Sequence, residues 1–540
     1  MAAAAAVAVA LTGAAPAHGA GELDTTFGGN GYQLWYLPGT DGGALRGVAA
    51  TPGGGFAFAG DIVDFLDTEA ITMKVGATGE LDASYGEDGA TRADFGSTNF
   101  YYDALVDSEG RTWAVGTSAP SFFDSDVLIS RYLPDGTPDP SFAGDGHQFV
   151  DLGGGITDTG YAAALQGDGK LVVAAEASFS QAQGGGDQDF NVIRLNPDGS
   201  LDNTFGANGV KTLDLSGVHD RPSDIAVDGS SIVVAGTRGG WLGSTGSVIG
   251  TPQMAVVRLE PDGDPDPTFG TNGVAVADFG LNATAGPWGL AMRGSAPVLT
   301  GRVQRPGTAD AIGIAAFTED GEADASFGGG DGTAEVDLMG GSTFEWGSDV
   351  AIDSQGRPVV AARADQTMAV LRFTAAGAPD AAFGCNGVAE AAHDRDLLVP
   401  DALAITAGDD ILVVGPKTTG GSSELAALRI EGSGPAAGCA SAPLDPGEEQ
   451  PTPIGEEPPP PAVCFKREAT HEGTDLAESL FGTSGSDVLA GLGGDDQIKA
   501  RGGDDRACGG AGNDTIDGGG GADQANGDAG RDKLKGGGGA

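Results

Sequence analysis

Six aspartates stand nine residues apart near the C-terminus: Asp487, Asp496, Asp505, Asp514, Asp523 and Asp532. A glycine precedes each by two positions, at 485, 494, 503, 512, 521 and 530. Two positions after each comes an apolar or small residue: Leu489, Ile498, Ala507, Ile516, Ala525 and Leu534. Glycines allow tight turns with positive φ and leave the carbonyl oxygens of those turns exposed. Carbonyls and carboxylates are hard oxygen donors, the set that suits Ca²⁺. The six aspartates are therefore the candidate metal ligands, and Ca²⁺ is the cofactor they predict. The best-formed unit is "GGAGNDTID", Gly509 to Asp517. Its one large apolar side chain buries too little surface to fold alone, so it needs stacked neighbours and a cation.

No comparable constellation points to catalysis. The histidines, His18, His147, His219, His393 and His471, fall in no HExxH or other metal-ligand spacing, and no GxSxG nucleophile elbow occurs. "DSEGRTW", Asp107 to Trp113, resembles a sialidase Asp box, but its aspartate-to-glycine spacing differs and it reads better as a blade turn. Nothing singles out a carboxylate pair. No catalytic residue is assigned. Acid outweighs base, 77 to 28, for a formal charge of −49. That excludes nucleic acid and anionic lipid surfaces, which want basic patches. It fits an exported or cation-binding protein. No apolar run is long enough to span a bilayer, so no transmembrane segment is expected.

The elements that carry the rest of the chain come from an internal repeat. "LDTTFGGNG" at Leu23 returns as "LDASYGEDG", "PDPSFAGDG", "LDNTFGANG", "PDPTFGTNG", "ADASFGGGDG" and "PDAAFGCNG", with aromatics at Phe27, Tyr85, Phe142, Phe205, Phe269, Phe327 and Phe383, 56 to 64 residues apart. Each unit reads as four short strands, such as "VKTLDL", "DIAVD", "IVVAG" and "AVVRL", with Asp-Gly turns. The prediction is an all-β chain: a seven-bladed β-propeller followed by a short parallel β-roll. A basic residue precedes the turn glycine by five (Lys74, Arg131, Arg194, Arg258, Arg372, with Ala316 the exception), and an aspartate follows it by three (Asp82, Asp139, Asp202, Asp266, Asp324, Asp380). Turn capping and ion pairing explain that ring of acids better than ligand binding does. Arg429 in the last unit has no aspartate in phase after it. The missing sequel is "GELDTTFGGNG" at Gly21, which predicts that the N-terminal segment completes the last blade and closes the ring. An open solenoid is the alternative.

These units resemble the delta-60 repeat of bacterial exported proteins, over about residues 21–430. That resemblance implies a propeller-like array and no particular activity. The nine-residue phase resembles the RTX, or haemolysin-type, calcium-binding repeat, GGxGxDxUx. A disordered Gly/Asp tail would not keep such a phase. The resemblance implies a parallel β-roll with Ca²⁺ between loops eighteen residues apart, pairing Asp487 with Asp505 and Asp523, and Asp496 with Asp514 and Asp532. Thr483, Leu492, Arg501 and Asp528 depart from the second glycine, Ala500 from the first, and Ala507 and Ala525 thin the core.

The expected division is 1–20 signal peptide, 21–430 propeller, 431–463 Pro/Gly/Glu-rich linker and 464–540 roll. The signal lacks a basic residue before its apolar run, so the true start is expected upstream, and the chain stops at Ala540 before the next aspartate in phase, as a truncated or uncapped end would. The four cysteines of an exported chain allow three pairings, of which proximity favours Cys385–Cys439 and Cys464–Cys508. The resulting expectation is a secreted calcium-binding protein, free or attached to the cell surface, whose propeller is a noncatalytic binding or structural module for an unidentified extracellular protein or polysaccharide. The alternative is a secreted propeller hydrolase or lyase with a calcium-stabilised tail.

Overall fold

The computed structural model describes residues 20–433 and 463–536 apart from short stretches, the longest being 179–188, 339–344 and 473–478. The expected signal and nearly all of the linker lie outside the described residues. Every described element is a β-strand, and none is a helix long and apolar enough to cross a membrane. The chain divides into two compact units, Met1–Pro446 and Gly447–Ala540.

In the first unit, antiparallel strands form propeller sheets whose cores lie between neighbouring sheets. The motif aromatics are fully buried there: Phe27, Tyr85, Phe142, Phe205, Phe269, Phe327 and Phe383 are each 0% exposed. The expectation of seven separate blades is not met. Five sheets stand as separate blades, and the first two expected blades form one eight-stranded sheet from Gly42 to Val150. The cause is local: Thr68 pairs in parallel with Thr98 and joins two four-stranded groups. Sequence units and sheets are also offset. The strand after each motif is the outer strand of the preceding sheet, as Val210–Leu213 pairs with Phe190–Leu195.

That offset explains the closure. Tyr32–Trp35 pairs with Ser422–Ile430 as the outer strand of the last sheet. Arg429 Nε reaches Asp24 Oδ2 at 3.0 Å, the pair that the sequence leaves open at the C-terminal end of the array. First strands of successive groups pack side by side around the array, and the last of them, Ala402–Ile405, packs on the first, Gly42–Ala50.

The recurrent acids are structural. Arg131, Arg194, Arg258 and Arg372 bind Asp139, Asp202, Asp266 and Asp380 at 2.7–2.8 Å. Each guanidinium lies over its motif phenylalanine, 4.5–5.0 Å from the ring centre. The other oxygen of each aspartate caps the following turn, as Asp202 Oδ1 does for Thr204 N at 3.0 Å. Where Ala316 breaks the pattern, Arg293 supplies the partner of Asp324. Backbone clasps then tie each motif to the next unit, from Gly86 N to Asp135 O at 2.7 Å through to Gly384 N to Ala20 O at 2.9 Å.

In the second unit, three-residue strands stack in parallel with an eighteen-residue register. One sheet contains Val488–Ala490, Arg506–Cys508 and Gln524–Asn526; the other contains Gln497–Lys499, Thr515–Asp517 and Lys533–Lys535. Leu480, Leu489, Ile498, Ala500, Ala507 and Ile516 fill the space between them. Cys508 is half-buried against Val488 and Ala490. Leu534 at the C-terminal end is 52% exposed, because no later coil covers it among the described residues.

Candidate functional site

The six aspartates fall into two files along the stacked coils. Asp487 N donates to Asp505 Oδ1 at 2.8 Å, and Asp505 N to Asp523 Oδ1 at 3.1 Å. On the other edge Asp496 N donates to Asp514 Oδ1 at 2.9 Å, and Asp514 N to Asp532 Oδ1 at 3.0 Å. One oxygen of each downstream carboxylate is thus used by the coil before it. The second oxygen is not: Oδ2 of Asp505, Asp514 and Asp523 is buried without a hydrogen-bond partner. A bare carboxylate oxygen held this way is costly. Burial raises the Asp505 carboxyl above its usual range, and the charges of Asp523 and Asp487 add to the shift, while the Asp487 N–H opposes it. The glycine five residues before Asp496, Asp514, Asp523 and Asp532 makes room for the carboxylate. A Cβ on Gly509, Gly518 or Gly527 would strike Oδ2 of Asp514, Asp523 or Asp532. Hard oxygens, like-charge crowding and orphaned acceptors fit a divalent cation of the Ca²⁺ kind. Asp487, Asp496, Asp505 and Asp514 are buried, whereas Asp523 and Asp532 are half-buried towards the end of the roll.

A second site lies in the first unit, and the sequence reading missed it. Six of the seven first strands carry a β-bulge, and the extra residue is Arg46, Tyr102, Tyr161, Ser223, Trp288 or Ser348 in turn. A bulge re-aims the side chain that it frees from the ladder. All six side chains line one cavity of about 470 Å³, which Asp401 completes. Asp401 sits at an equivalent irregularity, between Leu398 opposite Lys417 and Ala402 opposite Val414. The signal was present in the repeats: "RGVA", "YDAL", "YAAA", "SDIA", "WGLA", "SDVA" and "DALA" begin at these seven positions. The first letter varies in chemistry while the strand behind it does not.

The mouth of this cavity is built from compensated charges and aromatic faces. Arg46 Nε binds Asp61 Oδ1 at 2.6 Å, and Arg221 Nε binds Glu176 Oε2 at 2.7 Å. Tyr161 OH donates to Glu176 Oε2 at 2.6 Å, and the Arg221 guanidinium covers the Tyr161 ring at 4.7 Å. Tyr102 and Tyr161 lie 5.9 Å apart, and Trp288 leans on Trp346 at 6.0 Å. Burial pushes the Asp401 carboxyl up to about 7, against the attraction of Arg46 and with added repulsion from Asp61. Oδ2 of Asp401 and Oγ of Ser348 are buried without a partner. Just behind the bulges, Asp103, Asp224 and Asp349 accept backbone N–H groups of Ala163, Leu290 and Leu403, each on the next first strand, at 2.6–2.8 Å.

Two other acidic trios, Asp126, Asp151, Asp158 and Asp189, Asp214, Asp220, bring carboxylate oxygens within 4.8 Å of one another. Their most buried members are used by the backbone, Asp158 by Leu152 N and Asp220 by Leu215 N, both at 2.6 Å. In the Asp107–Trp113 turn the carboxylate is used locally, since Asp107 binds Arg111 Nε at 2.7 Å and Trp113 Nε1 at 3.1 Å. Asp353 and Arg357 repeat the first of these contacts at 2.7 Å.

Family comparison agrees with both units. The profile described as a domain of unknown function (DUF5122), beta-propeller, matches residues 122–142, 166–205 and 242–269. The RTX calcium-binding nonapeptide repeat profile matches 472–507, 481–516 and 508–540. No curated protein matches the chain. Among solved structures, the extracellular domain of BT4673 from B. thetaiotaomicron is 11% identical with a TM-score of 0.38, and the alignment covers 73% of this chain and 39% of that one. Drosophila Semaphorin 2a is 8% identical with a TM-score of 0.41, covering 77% and 76%. An ulvan lyase of polysaccharide lyase family PL25 is 12% identical with a TM-score of 0.37, covering 74% and 96%. The chain thus joins DUF5122-type β-propeller sequence to C-terminal RTX calcium-binding nonapeptide repeats.

Proposed function

We propose that this is a secreted calcium-binding protein whose propeller is a noncatalytic binding or structural module and whose roll folds on Ca²⁺. The observation that carries the reading is the set of buried, unpartnered Oδ2 atoms on Asp505, Asp514 and Asp523, repeated at the eighteen-residue register. Asp487, Asp496, Asp505, Asp514, Asp523 and Asp532 are the ligands in this reading, with turn carbonyls. Bound Ca²⁺ would supply the positive charge that lets carboxylates stack within each file. Extracellular Ca²⁺ near millimolar would hold the roll folded, and low cytosolic Ca²⁺ would leave it open for export. Chelation of the full chain, followed by hydrogen exchange, tests this. Loss of protection in 485–535 with the propeller unchanged is expected; full protection without Ca²⁺ would sink the reading.

The boundaries that go with it are a signal ending near residue 20, a propeller over 21–430 with seven blade positions, two of them sharing the eight-stranded sheet, a linker over 431–463 and a roll over 464–540. Of cleavage after Gly19 or Ala20, the first keeps Ala20, whose carbonyl accepts from Gly384 N at 2.9 Å. The pairings that go with this reading are Cys385–Cys439 and Cys464–Cys508, on proximity in the sequence. The partner is an extracellular protein or polysaccharide, met free or at a cell surface. A hydrolase or lyase is the second reading, favoured by the meeting of Asp401, Glu176, Tyr161 and Arg221 at one mouth.

A further inference from the structure

We propose that the cavity formed by the bulges of the first strands binds a neutral oligosaccharide. This deepens, and rests on, the reading of the propeller as a binding module. Three independent features point there. The first is placement. Six first strands each spend a bulge on one side chain, and all six side chains meet in one cavity of about 470 Å³, within the usual size of a small-ligand site. The bulge position is also where the repeats differ from one another. A purely structural position would keep one chemical class, as the buried aromatic of the motif does.

The second is the lining. Trp288, Tyr102 and Tyr161 offer apolar faces, and polar groups of both kinds stand between them. Arg46, Arg221 and the hydroxyls donate; the carboxylate of Asp401 accepts. Oδ2 of Asp401 and Oγ of Ser348 are buried and lack partners, so each gains a hydrogen bond if its side chain turns to meet a hydroxyl in the cavity. Apolar faces with interleaved donors and acceptors match a sugar ring, which has an apolar face of C–H groups and a rim of hydroxyls.

The third is charge. Both guanidiniums are already matched, Arg46 by Asp61 and Arg221 by Glu176. A carboxylate or sulfate ligand would have to break one of these largely buried pairs, which costs more than it returns. The chain's net charge of −49 also repels polyanions at long range. A neutral ligand meets neither obstacle.

The test is a glycan array that carries neutral and acidic oligosaccharides, probed with the full-length protein in calcium buffer, then calorimetry on the best neutral ligand. Neutral glycans should be retained, and Trp288→Ala should weaken the affinity about tenfold or more. Asp401→Asn and Ser348→Ala are near-isosteric and keep the test open if Trp288→Ala fails to fold; each should weaken binding several-fold without lowering the melting temperature. Retention of acidic glycans alone, retention of none, or wild-type affinity in both near-isosteric variants overturns the proposal. Reducing ends released by the wild type and not by Asp401→Asn would support the site while overturning the noncatalytic reading. Calcium-dependent protection of the roll is unaffected by any of these outcomes.

Discussion

Ala143 has φ of 51°, in the left-handed region, where the equivalent residues Gly28, Gly86, Gly206, Gly270, Gly328 and Gly384 have φ of 50–67°. The turn needs that conformation because the residue's N–H clasps the next unit, here Asp198 O at 2.8 Å. A Cβ there costs on the order of 1 kcal/mol. Ala143→Gly should therefore stabilise the propeller by about 1 kcal/mol in denaturant unfolding. Asp401 makes a prediction of a different kind. Its ordinary value is 3.8 and burial raises it to about 7, so the folded state holds a proton that the unfolded state has released. Stability from this group is complete below about pH 4 and is lost as pH rises through about 7. Asp103, raised by burial to about 6, and Asp349, raised to about 7, act in the same direction. The melting temperature should fall between pH 5 and pH 8, and Asp401→Asn should flatten part of that slope. An unchanged slope would place the carboxyl in solvent contact.

At the scale of elements, the roll shows how far an imperfect repeat can go. Gly510 and Gly519 hold φ of 102° and 85°, and Leu492 and Arg501 hold φ of 71° and 75° at the matching positions of other coils. A Cβ on Gly510 or Gly519 would strike the carbonyl of Leu492 or Arg501 in the coil below. Gly510→Ala and Gly519→Ala should raise the Ca²⁺ midpoint for roll folding, read by circular dichroism of the full chain. Leu492→Gly and Arg501→Gly should lower it, each worth about 1 kcal/mol of relieved backbone strain. In the propeller, the motif aromatic is the element's anchor. Phe205 is fully buried beneath Arg194, so Phe205→Ala should cost about 3–5 kcal/mol and loosen two adjacent sheets.

At the scale of the whole molecule, one ion pair joins the two ends of the array. Arg429 binds Asp24 at 3.0 Å and Asp410, and its guanidinium also reaches Ala77 O at 2.7 Å. Both Arg429 and Asp24 are largely buried. Arg429→Ala should cost about 3 kcal/mol, since it leaves two carboxylates without their cation. The loss should appear as faster hydrogen exchange in Tyr32–Trp35, the strand that this pair locks. Exchange there at the wild-type rate would mean that the strand pairing closes the array without the arginine.

The sequence by itself determined the two periods. A nine-residue phase of glycine, aspartate and apolar residues dictates stacked turns with oxygen ligands, and the fifty-six- to sixty-four-residue motif dictates four-stranded units and names Asp24 as the partner that Arg429 lacks. These are local rules, repeated, so they can be read along the chain. The mouth of the propeller could not be read in the same way. Arg46 and Asp401 lie 355 residues apart in number and meet because the array closes. Their aim is set by bulges, which depend on how a strand pairs with its neighbour, not on its own composition. The fusion of the first two sheets through Thr68 and Thr98 is likewise a matter of how two units meet. Periodicity fixes what each unit is; only the packing of units against one another decides which side chains face a common space.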